Sequence, residues 1–439
     1  MNAVVLAVIV MLVLAVSRVH VVLSLLIAAL VGGLASGLSL SETIKAFESG
    51  LGNGATVALS YALLGAFAMA IAHSGLPEML ANKVIVRIKN NPRNTNLKWM
   101  VIAIVVVMGM LSQNIIPIHI AFIPIVIPPL LVIFNQFKID RRMIACAISF
   151  GLVTCYMTLP YGFGEIFLNQ ILLPNVQQAG LDTTGISIIK VMGIPALGMI
   201  FGLLFAIFVS YRKPRTYLDA DSTNMVANMK APEISSFRSL IAIGAIVVAF
   251  VIQLITDSLI MGALSGFALF IITGVIKWKA SEGLFSEGLR LMCMIGFIMI
   301  TAQGFAEVMK ATNEIEPLVK ASTEIFGGSK LMAALSMLSV GLLVTMGIGS
   351  SFSTLPIIAA IFVPICAALG FSPAATVALI GTAGALGDTG SPASDSTLGP
   401  TSGLNIDGQH DHIRDTVIPT FLHYNIPLLI AGTIAALVL

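Results

Sequence analysis

The chain alternates long apolar runs with short polar breaks along its whole length, and the runs have the length of membrane helices rather than of core strands. Segments 21–38, 56–72 and 240–255 pass without a charge, close to the ~20 apolar residues that cross a bilayer core. Hydropathy predicts helices near 3–16, 21–38, 52–73, 97–112, 115–134, 143–160 and 186–210. A second series follows near 239–255, 259–276, 288–306, 331–348, 353–369, 374–387 and 416–438. No basic residue precedes the first run, so it reads as a retained helix rather than a cleaved leader.

The two series share a rhythm, which points to an internal duplication. Phe47, Gly50 and Leu51 match Phe285, Gly288 and Leu289; Pro128 matches Pro364; Gly151 matches Gly387 ahead of a break in each helix. The expected organisation is a first repeat over 1–212, a cytoplasmic linker over 213–237 and a second repeat over 238–439. Basic residues stay on the cytoplasmic side of short loops. With the N-terminus outside, eighteen of the 23 Lys and Arg fall inside and five, at Lys45, Lys190, Lys310, Lys320 and Lys330, outside. The basic flanks of 97–134 then lie on one side, so that segment enters and returns. Each half keeps an odd number of other passes, and the second half is inverted relative to the first.

Composition agrees with a lipid environment. The chain is 57% hydrophobic and 10% charged, against about 45–50% and 25% in soluble domains. A net charge of +2 gives no footprint for nucleic acid. The four cysteines sit in apolar runs without C-x-x-C spacing and read as packing residues. No phosphate-binding glycine loop, H-E-x-x-H or nucleophile elbow is present, and neither an enzyme nor a bound cofactor is expected.

In an inverted-repeat transporter, chemistry belongs where helices are interrupted near the midplane. Non-helical backbone at that depth persists only when buried in protein or lining a cavity. Two pairs of breaks meet the description. Ser112, Gln113 and Asn114, followed by His119, mirror Ser350, Ser351 and Thr354, and both groups read as tips of re-entrant hairpins. Thr158 to Glu165 mirrors Gly387 to Thr397, where Asp388, Thr389, Ser391, Asp395 and Ser396 combine carboxylates, hydroxyls and freed carbonyls. Those are the oxygen ligands of a hard cation. Asp388 is the expected sodium ligand and proton carrier, with Asp395 beside it; sodium and proton exclude each other on one carboxylate. Ser112 to Asn114 also fits a surface turn. His119 reads as a proton carrier, a substrate contact or a core histidine, and Glu165 as the first-half carboxylate or an interfacial one.

The run Gly381 to Thr401, with Gly387-Asp388-Thr389-Gly390-Ser391-Pro392 at its centre, resembles the signature of NhaC-type sodium/proton antiporters of the ion transporter superfamily. The likeness extends over nearly the whole chain. It implies an all-α polytopic membrane protein of two inverted repeats, with re-entrant hairpins and broken helices, divided into scaffold and transport domains. It also implies a bacterial inner-membrane location and a homodimer in the lipid bilayer. The cargo stays open between sodium exchanged for protons and a small organic solute, an amino acid or carboxylate, imported with sodium or protons.

Overall fold

A computed structural model of the chain describes residues 2–17, 19–76, 79, 95–114, 119–218, 236–256, 258–314, 317, 321, 324, 328–348, 351–392 and 394–439. Regular secondary structure among them is helical throughout. The first series is α1 (Ala3–Val16), α2 (Val21–Ala35), α3 (Leu40–His73), α4 (Thr95–Asn114), α5 (His119–Gln136), α6 (Arg141–Thr158), α7 (Phe163–Gln178) and α8 (Ile188–Ser210). The second is α9 (Ser236–Thr256), α10 (Leu259–Ile272), α11 (Trp278–Ala311), α12 (Lys330–Ile348), α13 (Ser351–Ala368), α14 (Pro373–Ala385), α15 (Asp395–Leu404) and α16 (His412–Val438). This is an all-α polytopic membrane protein. Among the described residues α8, α16 and the Phe237–Thr256 stretch of α9 each have the length and apolarity to cross a bilayer, as does the bent pair α6–α7.

The order of elements runs twice. The strongest likeness is between α3 and α11, each 34 residues long, with Phe47 and Phe285 both eighth in their helices. The two helices cross antiparallel through their glycines. A Cβ on Gly50 would lie 2.5 Å from the Gln303 carbonyl oxygen, and one on Gly288 would lie 2.4 Å from the Ala66 backbone. Gly296 faces Ala58 between them, so rising along one helix means descending the other. Small residues let membrane helices approach this closely, and antiparallel pairing of equivalent helices is the geometry an inverted repeat produces.

Hydropathy places the starts of α3 and α11 near 52 and 288, but they begin at Leu40 and Trp278. The added turns are charged on an exposed side, with Glu42, Lys45 and Glu48 in one and Lys279, Glu282 and Glu287 in the other. A hydropathy window reads such turns as loop. The start of α3 is fixed instead by a capping box, in which the Ser39 hydroxyl accepts from the Glu42 N–H and the Glu42 carboxylate accepts from the Ser39 N–H. A second difference concerns Gly151, which lies two turns before the end of α6 and packs on Gly109 of α4, whereas Gly387 lies in the turn beyond α14. Their match marks no shared break. The expected linker is described only up to Leu218 and from Ser236.

Contacts between remote segments join loops of like charge assignment. At one end Asn2 donates to the Glu314 carbonyl at 2.7 Å, and Ser372 to the Leu439 carbonyl at 2.9 Å. At the other, the basic face, Arg215 N–H donates to the Lys138 carbonyl, and Gln409 pairs with the Leu218 backbone. There Arg141 holds Asp407 in a buried two-pronged ion pair.

Candidate functional site

Two interrupted helices converge in the interior. Pro160 has no N–H to offer the Tyr156 carbonyl, so α6 stops at Thr158, closed by the Leu159 N–H on the Cys155 carbonyl. Gly162 takes a positive φ of 59° and the chain bends by 49° into α7. Gly164 tolerates no side chain, since a Cβ there would fall 1.8 Å from the Leu159 carbonyl oxygen. In the second series α14 stops at Ala385, and Gly387 and Gly390, with φ of 87° and 99°, turn the chain around Asp388. The Ser394 hydroxyl then caps α15 by accepting from the Ser396 N–H.

Asp388 is buried at the centre of this turn, 8% exposed. One carboxylate oxygen accepts the Tyr156 hydroxyl at 2.6 Å, and the other accepts the Ser394 hydroxyl. The Ser396 hydroxyl donates to the Asp388 carbonyl at 2.9 Å, while the Ser396 carbonyl accepts the Ser149 hydroxyl of α6 at 2.7 Å. Tyr156 also lies 2.8 Å from the Ser351 hydroxyl at the start of α13. Its single proton goes to Asp388, so Ser351 is the donor between those two. Ser351, at the start of α13, therefore lies inside the protein, against the last turn of α6 and the Asp388 turn. Phe352 and Phe167 wall the site, with ring centroids 5.4 and 4.9 Å from that of Tyr156.

The far side of the turn is held by Asn425 of α16. Its amide oxygen accepts the Gly387 N–H at 2.9 Å and the Thr389 hydroxyl at 3.4 Å, and its amide nitrogen donates to the Thr389 carbonyl at 2.6 Å. Ser391 is buried and donates to the Met346 carbonyl at 3.3 Å. Asp388, Thr389, Ser391 and Ser396 thus share one buried turn. Asp395, exposed at the start of α15, adds a second carboxylate charge close enough to act on Asp388.

The other expected residues are spread more widely. Thr354 is buried against Thr345, 3.1 Å between hydroxyls, and Thr345 donates onward to the Gly384 carbonyl. Ser112 is buried and donates to the Gly109 carbonyl of its own helix. Gln113 and Asn114 close α4 and His119 opens α5, but their side chains lie outside the described residues, as does Ser350 altogether. Glu165 sits half-buried just past the α6–α7 break and accepts from the Asn169 amide at 2.7 Å.

Three residues of the cluster escape the sequence reading, Tyr156, Ser149 and Asn425, while Ser394 lies within the expected Gly387 to Thr397 segment without being singled out. Tyr156 carries a signal in hindsight, four residues ahead of a helix-ending proline; Asn425, with Pro427 just beyond it in an apolar run, carries a weaker one. The assembled group offers a carboxylate, several hydroxyls and turn carbonyls. That donor set matches a hard cation and leaves the carboxylate open to a proton in its place.

Comparison with known proteins identifies the family. Residues 147–433 match the Na+/H+ antiporter family, and residues 2–88 match a second Na+-H+ antiporter family. An uncharacterised membrane protein of Vibrio parahaemolyticus is 57% identical over 443 residues, covering 100% of both chains. The putative amino acid transporter YuiF of Bacillus subtilis is 50% identical over 448 residues, again covering 100% of both. The YdaH transporter of Alcanivorax borkumensis shares the fold, with a TM-score of 0.60 at 16% identity over 91% of this chain and 88% of its own. A secondary transporter rather than an enzyme, this chain belongs to the Na+/H+ antiporter family.

Proposed function

We propose that the protein exchanges sodium for protons across a bacterial inner membrane, with Asp388 as the coupling carboxylate. The observation that carries this reading is the buried turn itself, the Asp388 carboxylate facing hydroxyl oxygens where α14 gives way to α15. Sodium bound there displaces the proton, and a proton neutralises the carboxylate and releases sodium. Either occupant removes the uncompensated charge that would otherwise sit in a low-dielectric interior. Thr389, Ser391, Ser394 and Ser396 supply neutral oxygens, and Asn425 keeps the turn in register.

A second reading is uptake of an amino acid or small carboxylate driven from the same cation site. It is favoured by the 50% identical relative named as a putative amino acid transporter. The two readings separate in proteoliposomes loaded with a pH-sensitive dye. Sodium-driven proton movement without any organic solute, lost in Asp388→Asn, is the expected result. No sodium response, but uptake of one solute under a sodium gradient, replaces exchange with import. Normal transport by a folded Asp388→Asn variant removes Asp388 from the mechanism.

A further inference from the structure

A groove of about 320 Å³ opens on the protein surface between α8 and α16, away from the Asp388 turn. Its walls are Phe201 and Phe205 on one helix and Leu422 and Ile426 on the other, exposed by 61, 44, 49 and 49%. Its floor is Gly202, where a Cβ would fall 1.8 Å from the His423 carbonyl oxygen, so the two backbones touch. Both walls widen into π-helical turns, Ala206–Ser210 and Phe421–Asn425, a departure from α geometry frequent at functional sites.

The polar groups at one end of the groove satisfy each other. His423 donates from Nδ1 to the Pro419 carbonyl at 2.7 Å, and its Nε2 lies 2.7 Å from the Ser210 hydroxyl. That pairing uses the imidazole N–H and the Ser210 proton, so no donor is left there, and the apolar walls of the groove proper suit an alkyl chain. From Phe201 to Ser210 the groove runs about 13 Å at ~1.5 Å per residue, close to one leaflet of a ~30 Å core. Trp99 stacks on Phe208 at 5.3 Å with Lys98 beside its ring, an interfacial arrangement that marks the hydrocarbon edge at this level. Just beyond it Arg212 and Lys213 are exposed and form no ion pair among the described residues, whereas nearby Arg142 and Arg215 are engaged by Asp140 and Asp415.

We propose that an anionic glycerophospholipid of the basic-face leaflet occupies this groove, one acyl chain along Phe201, Phe205, Leu422 and Ile426 and its phosphate on Arg212 and Lys213. Cations at the membrane edge beside a crevice are what such a headgroup recognises. The Phe421–Asn425 turn forms one wall and ends in the residue that clasps Gly387 and Thr389. The lipid therefore braces the Asp388 turn from behind.

The test uses the full chain, stripped of lipid in detergent and titrated with palmitoyl-oleoyl phosphatidylglycerol or the matching phosphatidylcholine, with bound lipid read by native mass spectrometry. Phosphatidylglycerol should bind at least tenfold tighter than phosphatidylcholine. Replacing both exposed cations, Arg212→Ala with Lys213→Ala, should weaken it about thirtyfold, and Leu422→Trp, which fills the groove, should abolish retention. In nanodiscs, hydrogen exchange of 419–425 should slow with phosphatidylglycerol and not with phosphatidylcholine. Equal retention of the two lipids, or retention unchanged by both sets of substitutions, overturns the proposal. So does a disulfide between two copies through Phe205→Cys, which would seat a second chain in the groove.

Discussion

Replacing Asp407 by Asn strips the counter-charge from a guanidinium that has no access to water. Arg141 is fully buried and the Asp407 side chain is 1% exposed; the two meet in a fork of two 2.6 Å contacts. The Leu404 carbonyl at 2.9 Å and the Tyr217 ring, 4.2 Å from the guanidinium, remain after the substitution. Breaking one side of such a pair costs about 3–5 kcal/mol, and the surviving contacts put this case at the lower end, about 3 kcal/mol. Replacing both partners, Arg141→Met with Asp407→Leu, leaves no stranded charge and should recover much of the loss. Heating in detergent and following the monodisperse fraction ranks the variants, with unfolding read as a rate. An Asp407→Asn protein as heat-resistant as wild type would refute the reasoning. A double variant no better than the single one would do the same. The pH dependence carries a sign. Burial alone would raise the Asp407 carboxyl, but hydrogen bonds and charge from Arg141, aided by the Gln409 N–H, hold it below the usual range. Its contribution is complete above the unfolded value near ~3.9 and is lost as pH falls through the folded one. The gap between wild type and Asp407→Asn should therefore stay constant above about pH 5 and close below about pH 4.

Tyr156→Phe removes a hydrogen bond to a buried carboxylate and should raise the sodium concentration for half-maximal flux about tenfold while leaving the protein folded; unchanged sodium dependence would remove Tyr156 from the site. Gly164→Ala forces a Cβ to 1.8 Å from the Leu159 carbonyl and should sharply lower the yield of folded protein, whereas Gly193→Ala, with nothing within 4 Å, should be neutral or slightly stabilising; equal yields would contradict the close approach at the α6–α7 bend. Cysteines at exposed Glu282 and Thr184 should react with an impermeant reagent from opposite sides of the membrane, and labelling from one side alone would overturn the orientation read from charge.

Much of the fold is legible in the sequence because a bilayer dictates run length, and the ends of α1, α12 and α13 fall within about a residue or two of the apolar limits. The failures have a common cause. The first turns of α3 and α11 are charged, and helices α7 and α15 are short continuations beyond a break; none is a long apolar run. Asp388 is legible because a carboxylate at the end of an uncharged helix has few structural reasons to be there. Its partners are not, because Tyr156 lies 232 positions away and Asn425 lies 37 positions beyond it in the sequence.

The hydroxyl of Tyr156 has one proton to direct toward Asp388 or Ser351, and this makes it a one-bit register. With Asp388 ionised, the proton points at the carboxylate and Ser351 must donate to Tyr156. A proton taken up on the same carboxylate oxygen reverses the chain: Asp388 becomes the donor, Tyr156 turns to Ser351, and Ser351 has to send its own proton elsewhere. Ser351, at the start of α13, thus follows the charge of Asp388 through the rotation of two hydroxyls.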